Sequence, residues 1–85
     1  MKTVYQKQYF NVIETSLKEQ KTKIYTLVNN RFTEIGKIKW ELSNNGYVFF
    51  PTVNTTWSAN VLVDVVNVLD DINKIYKNGG KDSGK

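Results

Sequence analysis

The adjacent carboxylates Asp70 and Asp71 come nearest to a general acid/base pair or a metal-binding pair in this sequence. Such chemistry requires two carboxyl groups that converge on one bond or one ion. Both aspartates fall in a stretch with helical periodicity, where neighbouring side chains point about 100° apart. We therefore interpret them as solvated residues on the surface of a helix.

Histidine and cysteine are both absent from the 85 residues. The sequence therefore has no Ser-His-Asp triad, no imidazole or thiolate metal ligand and no disulfide. Gly36 and Gly46 are isolated, and Gly79-Gly80 follows a helical segment instead of opening one, so no phosphate-binding glycine pattern is present. These absences predict a protein that is not an enzyme, with no catalytic residues, no metal site and no cofactor.

Surface recognition is the chemistry that remains. The net charge is +4, and residues 21–42 contain five basic and two acidic residues. An exposed aromatic ring among lysines can stack on a base or anchor in a protein pocket. The candidate partner-binding residues are Lys23, Arg31, Lys37, Lys39 and Phe50. Two alternatives stay open: the lysines only keep a small protein in solution, or the N-terminal segment covers Phe50 and makes it part of the core.

A β-hairpin over residues 35–51 must position most of these side chains. Apolar residues alternate on both sides of Asn45-Gly46, which predicts a two-residue type I′ turn. That turn places Trp40 opposite Pro51. Alternation then predicts two faces, one with Ile38, Trp40, Leu42, Tyr47 and Phe49 and the other with Lys37, Lys39, Glu41, Val48 and Phe50.

An earlier hairpin is predicted from residues 9–17 and 23–28, which are rich in β-branched and aromatic types. Asn29-Asn30 is a turn signal before the third strand, and Gly36 marks a place for a bulge. Pro51 ends the fourth strand and predicts a sheet edge there, because proline cannot donate a ladder hydrogen bond.

A C-terminal helix is predicted after Ser58, a residue type that caps helix N-termini. Apolar residues recur at three- and four-residue intervals over residues 61–76, which suits a helix that covers a sheet. Asn78-Gly79-Gly80 is a helix stop. The predicted fold is α+β: a four-stranded antiparallel sheet made of two hairpins, with one C-terminal helix packed on the face that bears Trp40.

The length of 85 residues predicts a single α+β domain over residues 1–78 with a flexible polar tail at 79–85. No apolar run has the length of a signal peptide or a membrane span. We therefore expect a cytoplasmic protein that does not contact membranes.

Residues 35–40 (Ile-Gly-Lys-Ile-Lys-Trp), residues 47–51 (Tyr-Val-Phe-Phe-Pro) and the helix after them resemble a group of short phage and prophage proteins of unassigned activity. The shared pattern is Gly-x-Ile-x-Trp, then Tyr-x-Phe-x-Pro, then a closing helix, over about residues 24–76. The resemblance implies a mobile-element origin. Small proteins of that origin without catalytic residues commonly act by binding a host or defence protein.

Three functions follow as hypotheses. The first is a non-enzymatic protein-binding module of phage or mobile-element type, such as an inhibitor of a host defence protein. The second is a nucleic-acid-binding domain that uses the basic sheet residues and Phe50. The third is a structural or assembly subunit that forms a homodimer through an open sheet edge.

Overall fold

The computed structural model describes residues 2–16 and 22–77 of the chain. They form the elements β1 (Lys2–Gln6), β2 (Asn11–Glu14), β3 (Ile24–Val28), β4 (Glu34–Glu41), β5 (Gly46–Pro51) and α1 (Ala59–Lys77). Each strand pairs antiparallel with the next, so the sheet order is β1-β2-β3-β4-β5. The predicted α+β class with one C-terminal helix is confirmed, but the sheet has five strands instead of four.

The additional strand is β1, which the hydrophobic pattern did not predict. Its apolar residues Val4 and Tyr5 are adjacent, so the alternation expected of a strand is missing. The cause is a β-bulge: Thr3 faces Ile13 and Tyr5 faces Val12, which leaves Val4 as the extra residue. β1 lies in the plane of the sheet, at the edge opposite β5, so this strand does not cover Phe50.

The core lies between α1 and one face of the sheet. From the helix, Val65, Val68 and Ile72 are buried, as the three- and four-residue spacing requires. The buried side chains that they meet from the sheet and its first turn are Phe10, Val12, Leu27, Ile38 and Tyr47. Burial of this apolar area against the sheet holds in place a helix whose valines disfavour isolated helix formation.

The central hairpin has a different turn and register from those predicted. Residues 42–44 form a 3₁₀ turn, Asn45 follows in the left-handed conformation with φ 51°, and Trp40 faces Tyr47 instead of Pro51. Glu41 stabilises the longer turn, because its carboxylate accepts hydrogen bonds from the Ser43 amide and hydroxyl. The predicted partner of Trp40 was therefore wrong by four residues. An even shift does not exchange faces, so Trp40 and Phe50 remain on opposite sides of the sheet, as predicted.

A second bulge lies between β3 and β4, beside the glycine where one was predicted. Leu27 faces Gly36 and Val28 faces Glu34, which leaves Ile35 as the extra residue. Gly36 is required there, since a Cβ atom at this position would lie 2.5 Å from the Phe49 ring.

Helix α1 begins as predicted. The Val61 amide donates to the Ser58 side-chain oxygen at 3.3 Å, and the Leu62 amide donates to the Ser58 carbonyl at 3.0 Å. The predicted helix stop at residues 78–80 and the predicted flexible tail at 79–85 lie outside the described residues. Within residues 2–16 and 22–77, no helix combines the length and the hydrophobicity that crossing a membrane requires.

Candidate functional site

The sheet face opposite α1 is here called the open face. Strand pairing places Ile13, Thr26, Lys37 and Phe50 in one row across it. A neighbouring row contains Ile24, Lys39 and Val48. In the described part of the chain, no helix or strand lies over this face.

Phe50 is the large aromatic side chain of the open face, and it is 40% exposed. Val48, two residues before it on β5, is half-buried, as are Ile13 on β2 and Ile24 on β3. Thr26 is buried and shares a hydrogen bond of 3.0 Å with Thr15. The face therefore mixes apolar side chains with two lysines, and Phe50 lies on its edge strand. This composition suits contact with another macromolecule.

The two lysines of the open face both contact neighbours. Lys37 Nζ lies 2.9 Å from a carboxylate oxygen of Glu34, and Lys39 Nζ lies 4.9 Å from the centre of the Phe50 ring. An exposed ion pair or cation–π contact of this kind is worth roughly 1 kcal/mol or less, so a partner can displace either one. The charge of Lys37 is nevertheless partly neutralised by Glu34 in the free protein.

The remaining predicted residues lie elsewhere. Lys23 precedes β3 and forms an ion pair with Glu14 at 2.9 Å, away from the open face. Arg31 lies in the turn between β3 and β4. The structure therefore brings together Lys37, Lys39 and Phe50, and it does not place Lys23 and Arg31 beside them.

Trp40 lies on the helix side of the sheet, as predicted, and is half-buried. Its ring lies 5.5 Å from Tyr47 and 4.6 Å from Tyr76 of α1, measured between centroids. Tyr25 belongs to the same aromatic group, 6.1 Å from Tyr47. Burial, with smaller contributions from Tyr47 and Glu14, raises the pKa of Tyr25 to about 12.

A side-chain hydrogen bond joins β1 to α1. The Tyr5 hydroxyl donates to a carboxylate oxygen of Asp71. Burial and this hydrogen bond both raise the pKa of Tyr5. Asp71 is thereby engaged in packing β1 against α1, and its neighbour Asp70 pairs with Lys74 at 3.4 Å.

The outer edge of β5 is partly closed by a side chain of α1. The Tyr47 amide donates to the Asn73 side-chain oxygen at 2.8 Å, and the Asn73 side-chain nitrogen donates to the Tyr47 carbonyl at 3.1 Å. Asn73 thus takes the place of a neighbouring strand at this position. Pro51 further along the same edge has no amide hydrogen to offer.

One end of the molecule was not predicted to form a surface. Here the loops of residues 7–10, 29–33 and 52–58 surround a groove of about 220 Å³. Its lining residues are Tyr9, Asn29, Ile35, Thr55, Thr56, Trp57 and Val61. This region is here called the loop end. No local sequence motif predicts the loop end, because its residues come from four separate parts of the chain.

Comparison with protein families, with curated protein sequences and with solved structures gave no match to this chain. Among the described residues, no group of three or more histidine, cysteine, aspartate or glutamate side chains is placed to hold a metal ion.

Proposed function

We propose that this protein is a small non-enzymatic protein-binding module of phage or mobile-element type, whose open face covers a surface of a host or defence protein in the cytoplasm. The observation that carries the proposal is the one-sided sheet, with Phe50 exposed on its edge strand β5 beside Lys37, Lys39 and Val48. The origin and the class of partner rest on the sequence resemblance over residues 24–76.

The chemistry of the open face specifies the partner surface further. An exposed aromatic side chain is a common anchor of a protein interface. Lys37 and Lys39 lie beside Phe50 on β4, where they can meet carboxylates of the partner. The partner surface is therefore an apolar patch bordered by acidic residues, and occupying it is how the module would inhibit a defence protein.

A nucleic-acid partner has less support from the geometry. Lys23 is paired with Glu14 away from the open face, and Arg31 lies in the turn between β3 and β4, so of the predicted basic residues Lys37 and Lys39 lie beside Phe50. Phosphate binding depends on several uncompensated basic groups along one surface. A sheet that reads RNA usually stacks two or three bases on its aromatic residues, whereas this face presents Phe50 alone.

Dimerisation through a sheet edge also has less support. Asn73 occupies the backbone groups of Tyr47 on the β5 edge, and Val4 forms a bulge in β1 at the other edge. Bulges and covered edges are the devices by which proteins prevent strand-to-strand pairing.

The test is affinity purification from the host with three matched baits. One bait is the natural protein, one carries Phe50→Ser, and the control carries Val66→Ser, because Val66 is 60% exposed on the outer side of α1. We expect the natural protein and the control to retain the same protein partner after nuclease treatment. The Phe50→Ser bait should bind that partner at least about tenfold more weakly, as expected for loss of an aromatic anchor.

Three outcomes would overturn the proposal. Recovery that disappears on nuclease treatment would assign the face to nucleic acid. Equal recovery by the Phe50→Ser bait would show that the partner binds elsewhere. A dimer seen by light scattering, and lost in the Phe50→Ser variant, would show that a second copy of the chain occupies the open face.

A further inference from the structure

The turn between β3 and β4 holds a phenylalanine in an unfavourable backbone conformation. Phe32 has φ 61°, in the left-handed region, and its side chain is 77% exposed. A left-handed conformation costs a non-glycine residue about 1–2 kcal/mol, and turns of this kind usually place glycine or asparagine there. The exposed ring recovers little of that cost through burial.

Asn29 fixes this conformation. Its side-chain oxygen accepts hydrogen bonds from the amides of Arg31 at 2.9 Å and Thr33 at 3.0 Å. The backbone adds two more bonds, from the Phe32 amide to the Asn29 carbonyl and from the Asn29 amide to the Thr33 carbonyl, both at 2.9 Å. These four hydrogen bonds fix the backbone of the turn with the Phe32 side chain exposed. Backbone strain that surrounding hydrogen bonds hold in place is typical of binding sites.

The groove of the loop end lies next to this turn. Asn29 and Ile35, which flank the turn in the sequence, both line it, together with Tyr9 and Trp57. Its volume of about 220 Å³ is below the roughly 300–1,000 Å³ of typical small-molecule sites. The groove is thus sized for a single large side chain of a partner and not for a cofactor.

The charge of the loop end indicates which kind of partner it binds. The three loops at residues 7–10, 29–33 and 52–58 contain Lys7 and Arg31 and no acidic residue. Glu34, which follows the second loop, is paired with Lys37. Opposite charge on a partner would meet Lys7 and Arg31, while like charge would be repelled.

We propose that the loop end is a second binding surface, which takes an acidic peptide segment of another protein. One apolar side chain of the segment fills the groove, Phe32 packs against the segment, and Arg31 and Lys7 meet its carboxylates. Phe32 lies in the turn between β3 and β4, and Phe50 lies within β5 on the open face. The proposal does not require that the open face bind anything.

The experiment uses synthetic 15-residue peptides as probes. One set places a single Leu, Phe or Trp among Asp and Glu residues, a second set replaces that residue with Ala, and a third replaces the acidic residues with Lys. Fluorescence anisotropy measures binding to the full-length protein and to three variants: Phe32→Gly, Arg31→Glu and, as a control on the other surface, Phe50→Ser.

We expect the first peptide set alone to bind, and we expect Phe32→Gly and Arg31→Glu to weaken binding about tenfold or more. Phe50→Ser should leave it unchanged. Equal binding by the Phe32→Gly variant, or binding of the Lys-containing peptides, would overturn the proposal. Loss of binding only in Phe50→Ser would assign the peptides to the open face. If a 15-nucleotide single strand binds more tightly than the peptides, in a manner that depends on salt and on Phe32, the loop end is assigned to nucleic acid. Circular dichroism on each variant confirms that it is folded.

Discussion

The left-handed backbone of Phe32 destabilises the folded state, and glycine at this position would not have the same cost. We expect Phe32→Gly to raise the free energy of unfolding by up to about 1 kcal/mol, because relief of the left-handed strain exceeds the extra chain entropy of glycine. In a domain of this size that corresponds to a melting temperature higher by roughly 4–8 °C. Thermal unfolding followed by circular dichroism measures the change.

Leu42 provides the matched control for that substitution. It is 82% exposed in a turn, but it is not among the residues with positive φ. Leu42→Gly therefore has no strain to relieve and should lower the melting temperature through chain entropy alone. Equal changes in the two variants would show that the backbone of Phe32 is not strained.

The half-buried side chain of Tyr25 predicts how stability changes in alkali. Tyr25 ionises near 10 in an unfolded chain but has a pKa of about 12 in the fold. The neutral form is therefore favoured by folding, so this contribution is complete below pH 10 and is lost as the pH rises towards 12. Urea unfolding at a series of pH values should show the decline, and Tyr25→Phe should reduce its steepness. Identical pH profiles for the two proteins would contradict the assignment.

Asn73 connects two elements, since its side chain bonds both backbone groups of Tyr47 at the edge of β5. Asn73→Leu removes two hydrogen bonds and should lower the free energy of unfolding by about 1–3 kcal/mol. It also uncovers the edge of the strand, so light scattering should detect self-association that the natural protein lacks.

The control for the Asn73 substitution is Asn67→Leu on the exposed surface of the same helix. It adds the same apolar side chain without touching the strand. If Asn67→Leu associates as strongly as Asn73→Leu, added surface hydrophobicity is responsible, and the edge of β5 is not.

At the level of elements, the sequence predicted what depends on local chemistry and periodicity. Ser58 marked the start of α1, and alternation separated Trp40 from Phe50 correctly even though the hairpin register was wrong. Register depends on whether a turn contains two residues or four, and here the Glu41 carboxylate stabilised the longer one. The bulge at Val4 hid β1, because it interrupts the alternation by which strands are found.

For the molecule as a whole, the open face followed from the sequence and the loop end did not. Lys37, Lys39 and Phe50 of the open face belong to one predicted hairpin, so their proximity is a local property of the chain. The groove beside Phe32 draws on Tyr9, Ile35 and Trp57, which only the complete sheet and helix bring together. Arg31 was predicted as a binding residue because of its charge. Which residues lie near Arg31 depends on how the loops are arranged in the folded protein, so the sequence did not predict them.

The strictly sequential order of the sheet has a consequence for how this protein is made. All five strands lie before residue 52, and the helix that covers them comes last. The sheet strands therefore leave the ribosome before the helix that covers them. Correct folding depends on α1 docking soon after it emerges, and a chain that stopped before α1 would expose to chaperones and proteases the apolar side of the sheet that α1 covers.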